Sequence, residues 1–539
     1  MSLRPSRRAV SIGIVVLTVG GAIAYGALSS GPGKARAAAA PPRTLPPLPA
    51  TTQPPRVAPA TPPAGLSVAV ENARPGTLGW TVQHPSTAGQ IEGYADHVSA
   101  QQGDAVRLYV STTAPYWVAT AFRMGWYGGV LARQVWESPP QRGVHQAATT
   151  YTRGTGMIAA DWSPSLTVPI TADWPPGDYL FKLVSSTGWD NYVPLTVRDD
   201  ASTAPILIVN AVTTWQAYNL WGGADLYSAS AAADRLGDPA TPGRADVVSF
   251  DRPYQLGNGS GDFLGSEEKL VKLVEKAGLD VSYTTSIDVA EHPALLLRHR
   301  IIVSMGHDEY YSTAMRDALT AARDAGVSLA FFGGNAVYRH IRLQPSSLGP
   351  DREEVNYRVA SADPDRRTDP AEVTVSWRQS PVNRPESTLL GEMYECNPVR
   401  TDMVVTDPTA WVWAGAGAVA GQHLPGVVGS EYDHWSPAGA QPPGDGVEVL
   451  AGSPLTCRGV PSTADFTYYV APSGAGVIDV GTTGWIPTIL DDPRVGATTA
   501  RVTLTVLGEG AKGPLGRAHP ARPTGSEPGA AGRTPPPGE

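Results

Sequence analysis

The chain has 539 residues, 17% of them charged, and 50 Asp and Glu against 41 Lys and Arg give a net charge of −9. That length exceeds what one hydrophobic core serves and calls for more than one domain. The acidic balance, with no Lys/Arg block beyond the N-terminus, excludes a nucleic-acid partner from the leading readings.

Arg4, Arg7 and Arg8 precede an uncharged run from Ala9 to Leu28 that is long enough to cross a bilayer. Ala35-Arg36-Ala37 then offers a small-x-small cleavage site, so residues 1–37 read as a signal peptide or an uncleaved membrane anchor. The string SRRAVSI is similar to a twin-arginine export signal. Export to the cell envelope or beyond is the expectation. Residues 38–65, rich in Pro, Ala and Thr, read as an extended linker, and residues 508–539 as a disordered tail.

From 66 to 200 the pattern is short β-runs, among them Val106–Val110, Trp117–Arg123, Tyr179–Val184 and Tyr192–Val197, punctuated by Gly, Pro and Asp. An antiparallel sandwich of immunoglobulin-like type is expected there. After Pro205 the rhythm changes. The apolar run Ile206–Val209 suits a buried parallel strand, and Val247–Phe250, Val281–Thr284, Ile301–Met305 and Val327–Phe332 follow. Helical patterns over 266–277, 287–297 and 312–325 alternate with them, which predicts a doubly wound parallel sheet within 201–507. From about 350 to 490 the chain reads as irregular. Cys396 and Cys457 are the two cysteines. Paired, they would close a loop worth about 4 kcal/mol in the chain-entropy model; two buried thiols are the alternative.

Polar chemistry gathers at predicted strand ends: Thr213–Asn219, Gly306-His307-Asp308-Glu309-Tyr310-Tyr311, Gly333–His340 and Gly429–His434. In open α/β sheets ligands bind outside the carboxyl ends of strands. The Gly333-Gly334-Asn335 turn sits where glutamine-amidotransferase-like folds place a nucleophile elbow between strand and helix, but it offers no Cys or Ser. Acyl-enzyme chemistry is therefore disfavoured, and a metal becomes the candidate activator. His307 and Glu309 lack the spacing of a zinc helix, whereas Tyr and Glu oxygens suit a hard cation such as Fe(III). On spacing alone His307 is equally a hydrogen-bonded loop histidine, Glu309 a carboxylate opening a helix, Tyr218 a core aromatic and Glu431 a surface acid. Trp126, Trp215, Trp221, Trp411, Trp413 and Trp485 also permit a non-catalytic, cell-surface glycan-binding protein, although such residues more often fill cores.

Several strings in one order, FRMGWYGG, SLTVPITADWPPGDYLFKL, NAVTTWQAYNLWGG, GHDEYYS, FFGGNAVYRHIRL and EMYECNP, show that the chain resembles the large (beta) subunit family of N,N-dimethylformamidase over about 90–490. The resemblance implies a mononuclear Fe(III) held by two tyrosinates and one glutamate. Carried over by position, Glu309 is the carboxylate ligand, Tyr218 one phenolate and Tyr179 the second. It further implies that His307 and Asn335 stand beside the metal, and that Glu431 is an acid or base for proton transfer. The implied activity is hydrolysis of a C–N bond in a formamide-like or other small amide, with a small subunit or a second copy of the chain as partner.

Overall fold

The computed structural model describes residues 68–524 apart from 147–148, 235–242 and 491. The expected leader at 1–37, the linker at 38–65 and the end of the tail lie outside the described residues. Among the described residues no helix is long and apolar enough to cross a membrane. The protein is mixed α/β with more sheet than helix.

Residues 91–198 fold into two main sheets and a small hairpin, Thr150–Thr152 with Met157–Ala159. One has three antiparallel strands, Ile91–Ala95, Ala105–Thr112 and Leu166–Pro169. The other is built around the antiparallel neighbours Tyr116–Met124, Gly177–Ser185 and Asp190–Arg198. Alternate residues of both sheets, including Ile91, Leu108, Val168, Ala119, Phe181 and Val193, share one apolar core. This is the facing-sheet arrangement that short alternating strands require.

The second layer system centres on a seven-stranded sheet. Its order is Val281–Thr285, Ile206–Asn210, Ile301–His307, Ser328–Gly334, Gly476–Asp479, Val460–Val470, Val447–Cys457. The first five strands are parallel, Val460–Val470 runs antiparallel to them, and Val447–Cys457 pairs antiparallel with Val460–Val470. Ile206 and Ile208 pack with the helices Glu268–Lys276 and Gly496–Gly510, while Leu207 and Val209 pack with Thr313–Asp324 on the opposite face. An unbroken aliphatic run is what two covered faces demand. Each such side chain buried contributes roughly 1.5–3 kcal/mol. Because Ile206–Asn210 comes first in the chain yet lies between later strands, the connections diverge beside Ile301–His307, and a crevice opens at the carboxyl ends of that pair.

Several elements differ from expectation for visible reasons. The 287–297 helix divides into Ser286–Glu291 and a 3-10 turn Pro293–Arg298, because Pro293 cannot continue an α-helix. Val247–Ser249 pairs with Gly349–Val355 in a separate sheet. No helix follows the Gly-Gly-Asn turn; the chain runs into the strand Arg339–Ser346. The irregular region holds long strands, Met393–Val404 and His423–His434, whose repeated bulges disrupt the two-residue alternation. The start of the supposed tail is packed: Leu515 is buried, and His519 accepts a hydrogen bond from Tyr468 through its carbonyl. Cys396 and Cys457 form a disulfide.

Candidate active site

The crevice is furnished from four places in the chain. The strand Ile301–His307 bends at Gly306, whose φ of +62° and whose Cα hydrogen, 2.9 Å from the Ser266 side chain if replaced by a Cβ, leave room for glycine alone. The bend turns His307 and Glu309 towards the crevice. Asp308 points the other way, and its Oδ2 accepts from Ser304 Oγ at 2.7 Å and from Tyr311 Oη. It anchors the loop. Glu309 does not open a helix: its backbone N–H donates to Thr214 Oγ1 at 2.9 Å, and the strand Tyr310–Ser312 follows. Thr214 lies in the short helix Val212–Ala217, whose last turn delivers Tyr218. One threonine thus ties the carboxylate to the first phenol.

Tyr218 Oη is 2.7 Å from Glu309 Oε2. The second phenol at this carboxylate is Tyr227, whose Oη is 2.8 Å from both Glu309 oxygens and 2.8 Å from Tyr218 Oη. The two rings stack at 4.4 Å. Glu309 is 1% exposed and Tyr227 36%, so the cluster is buried on the carboxylate side and open on the phenol side. Burial, followed by the Glu309 charge, holds both phenols well above their usual range as long as they keep their protons.

Tyr179 is not here. It lies in the sandwich core, 1% exposed, stacked at 5.1 Å on Trp174, and its hydroxyl donates to the Pro175 carbonyl at 2.6 Å. The choice of Tyr179 is therefore corrected: the phenol that meets Glu309 beside Tyr218 is Tyr227. The distinguishing signal was local. Tyr179 alternates within an inward-facing strand, whereas Tyr227 stands in a polar loop, with its backbone N–H donating to Asp225 Oδ1 at 2.8 Å.

His307, Asn335 and Glu431 do come together beside this cluster. His307 Nε2 is 3.1 Å from Glu431 Oε2 and 3.5 Å from Glu309 Oε2. Asn335 adopts a left-handed backbone at φ +57°, held by its N–H donating to Asp433 Oδ1 at 2.7 Å, and its Nδ2 donates to Glu431 Oε2 at 2.7 Å. Asn335 Oδ1 is buried without a partner. Burial works against charge on His307, but the carboxylates of Glu431 and Glu309 outweigh it and push its pKa up to about 9. Burial would likewise raise the Glu431 carboxyl, yet His307 and two amide donors bring it below the usual range.

The second amide donor, Asn397, was not singled out from sequence. Its Nδ2 donates to Glu431 Oε1 at 2.9 Å, while Arg458 donates to its backbone carbonyl at 2.8 Å and to its Oδ1 at 3.0 Å. Asn397 and Arg458 each follow a half-cystine, so the Cys396–Cys457 bridge fastens the Arg458 segment to the Asn397 segment that bonds Glu431. A cysteine pair flanked by Asn and Arg was the available signal.

The donor set fits a hard cation. Two phenols and one carboxylate meet at hydrogen-bond distances, and phenols that lose their protons to a metal become anionic oxygen ligands. A histidine–carboxylate cluster at Asp288, Glu291 and His292 is different in kind, since Asp288 is already paired with Arg198 and Ser99. Of the tryptophans singled out, Trp215, Trp413 and Trp485 are buried core residues, and Trp221 Nε1 donates to Glu92.

A comparison with curated proteins found no match. A protein-family model described as "N,N-dimethylformamidase beta subunit-like, C-terminal" matches residues 118–495, which takes in Tyr218, Tyr227, His307, Glu309, Asn335 and Glu431 alike. By that match, over more than half its length, the chain belongs to the N,N-dimethylformamidase beta subunit-like family.

Proposed function

We propose that the protein is an iron-dependent hydrolase of a small non-peptide amide, formamide-like in its carbonyl, with Tyr218, Tyr227 and Glu309 holding one ferric ion. The observation that carries this reading is the convergence of the three side-chain oxygens at the carboxyl edge of the parallel sheet, 2.7–2.8 Å apart. Bound there, the ion supplies Lewis acidity towards the carbonyl and towards water.

The chain's own groups do the rest. Glu431, ionised and within 3.1 Å of His307, is placed to take a proton from the attacking water. The departing amine then takes the proton that Glu431 holds, or the proton on His307, which Glu431 afterwards restores. Water adds across the C–N bond, and an acid and an amine leave. Asn335 presents a donor to the oxyanion through Nδ2 and an acceptor to a substrate N–H through its unpartnered Oδ1. The finer fold reading, an immunoglobulin-like sandwich ahead of an amidotransferase-like sheet, belongs to the same proposal. So does action outside the cytoplasm, where an oxidising compartment suits the Cys396–Cys457 bridge.

Ferric reconstitution followed by a screen of small formamides and amides tests the reading. One iron per chain, a visible tyrosinate-to-iron charge-transfer band and release of an amine are expected. Iron uptake that is unchanged in both Tyr218→Phe and Tyr227→Phe would refute it.

A further inference from the structure

Between the sandwich and the parallel sheet lies a mainly apolar cavity, lined in part by Leu195, Val212, Trp215, Phe250 and Phe263. It offers about 30 Å³ to the centre of a water-sized sphere. One water needs roughly 10–15 Å³ on that measure, so the space suits two or three heavy atoms. The lining runs out to His97, whose side chain is 55% exposed, which provides a way in.

The wall carries buried polar groups with nothing to bond. Arg252 is 1% exposed, and among the described residues no carboxylate lies within ion-pair distance of it. Its Nη atoms donate to the carbonyls of Asn219 at 2.8 Å, Ala224 at 3.0 Å and Trp221 at 3.2 Å, but its Nε–H is unpartnered. Tyr254 Oη, Asn210 Oδ1 and Asp178 Oδ2, on the same lining, are also unpartnered. Arg352, by contrast, is neutralised by Asp251 at 2.8 Å. The carboxylates of Asp225 and Glu354 act on Arg252 only from beyond ion-pair distance; a guanidinium without a contacting counter-charge is costly to bury, and burial lowers Arg252 only to about 10, which leaves it cationic. Water would satisfy the hydrogen bond. An anion would satisfy both the hydrogen bond and the charge.

We propose that this cavity binds a small carboxylate of formate size, accepted by Arg252 Nε and Tyr254 Oη, and that its occupancy steadies the segment carrying the paired phenols. The three carbonyls that Arg252 holds all lie between Tyr218 and Tyr227, so a ligand that fixes the guanidinium fixes that segment. Resting on the function proposed above, formate is also what hydrolysis of a formamide would release. The binding itself depends on neither iron nor turnover.

Calorimetric titration of the iron-free protein with sodium formate, against sodium chloride and sodium propionate at equal ionic strength, reads the site directly. Saturable binding of formate alone is expected. It should weaken at least about tenfold in Tyr254→Phe, the loss of one hydrogen bond to a charged group, and persist in Tyr227→Phe. Hydrogen exchange of amides 219–227 should slow on formate addition. An equal, non-saturating response to all three salts overturns the proposal, as does a crystal grown in formate that shows only water at Arg252 Nε. Formate binding lost in Glu431→Gln but kept in Tyr254→Phe would put the anion in the catalytic crevice and overturn it as well. Unchanged exchange at 219–227 would remove the coupling. Failure to take up iron would refute the hydrolase reading while leaving this titration intact.

Discussion

Glu275 and Glu309 are both buried carboxylates that face a phenol, and their surroundings separate structure from chemistry. Glu275 sits where the sandwich meets the α/β region. Arg123 grips it bidentately at 2.7 and 3.0 Å, with Asn72 and Tyr283 completing its shell at 2.7 Å each. Its charge is answered by a cation of matching geometry. Glu309 has only looser cationic neighbours, Arg339 Nε at 3.4 Å and His307 Nε2 at 3.5 Å, and its closest contacts are two phenols at 2.7–2.8 Å. A buried acid already neutralised holds the fold together. The buried acid ringed by proton-bearing oxygens is the one proposed to hold a metal.

Matched substitutions break or uphold that distinction. Glu309→Gln should abolish iron uptake, a larger loss than the roughly 10–100-fold that follows removal of an outer partner, and leave the fold in place. Glu275→Gln should do the reverse. It leaves a buried guanidinium short of its partner, costs about 3–5 kcal/mol of stability in denaturant titration, and spares iron stoichiometry. If both variants lose iron equally, the contrast fails.

Next in size is Glu431→Gln. It should keep the iron band, since Glu431 is no ligand in the proposed set, and lower kcat roughly 10²–10⁴-fold, the range for a lost general acid–base. Stability should fall by about 1–3 kcal/mol, because the glutamine oxygen can still accept from Asn335 and His307 while Asn397 Nδ2 loses its acceptor. A variant with normal turnover would show that Glu431 only shapes the crevice.

Cys396→Ser with Cys457→Ser removes a cross-link closing a 61-residue loop, worth about 4 kcal/mol in the chain-entropy model. The bridge also fastens Asn397 and Arg458 to each other. The reduced or doubly substituted protein should therefore lose turnover as well as stability, with the iron band retained. Equal activity at a temperature where both forms are folded would show that the bridge acts on stability alone.

The parallel sheet was legible because its signal is local: Ile206–Val209 and Ile301–Met305 are continuous aliphatic runs, and Ser312 caps its helix by accepting from Met315 N at 3.3 Å. The carboxylate and the His307, Asn335 and Glu431 group were legible because they sit at strand ends. Tyr227 and Asn397 were not. Their roles depend on contacts across 82 and 34 residues of chain, to Glu309 and Glu431, and the polar loop around Tyr227 and the half-cystine before Asn397 mark them without naming those partners. The 393–470 strands stayed hidden for another reason, since bulges near Tyr394, Cys396 and Thr401 break the period on which strand reading depends.

Asp178 extends the comparison to pH. Its carboxyl is pushed up to about 7 from 3.8, first by burial, with Asn210, Thr196 and Arg123 only partly offsetting it. A folded-state pKa above the unfolded one means stability that is full below about pH 4 and lost as pH rises through about 7. That loss is on the order of 4 kcal/mol by pH 8. In Asp178→Asn the loss should vanish, so unfolding free energy measured from pH 4 to 8 should fall less steeply than in the wild type. Parallel curves for the two proteins would mean that Asp178 is charged in the fold and otherwise paired.

The smallest effect is the most discriminating. Tyr179→Phe removes the same single oxygen as Tyr218→Phe and Tyr227→Phe, from a ring that is at least as deeply buried. In the sandwich that oxygen donates only to the Pro175 carbonyl. Its loss should cost about 1 kcal/mol, the usual net value of one hydrogen bond, seen as a small drop in the denaturation midpoint. Iron content and the charge-transfer band should not move. A Tyr179→Phe protein that lost its iron would mean that the sandwich core and the sheet edge act as one site, which the separate partners of these phenols argue against. Identical chemistry deleted at three positions would then differ in consequence only through what each hydroxyl faces: a backbone carbonyl in one case, a shared carboxylate in the other two.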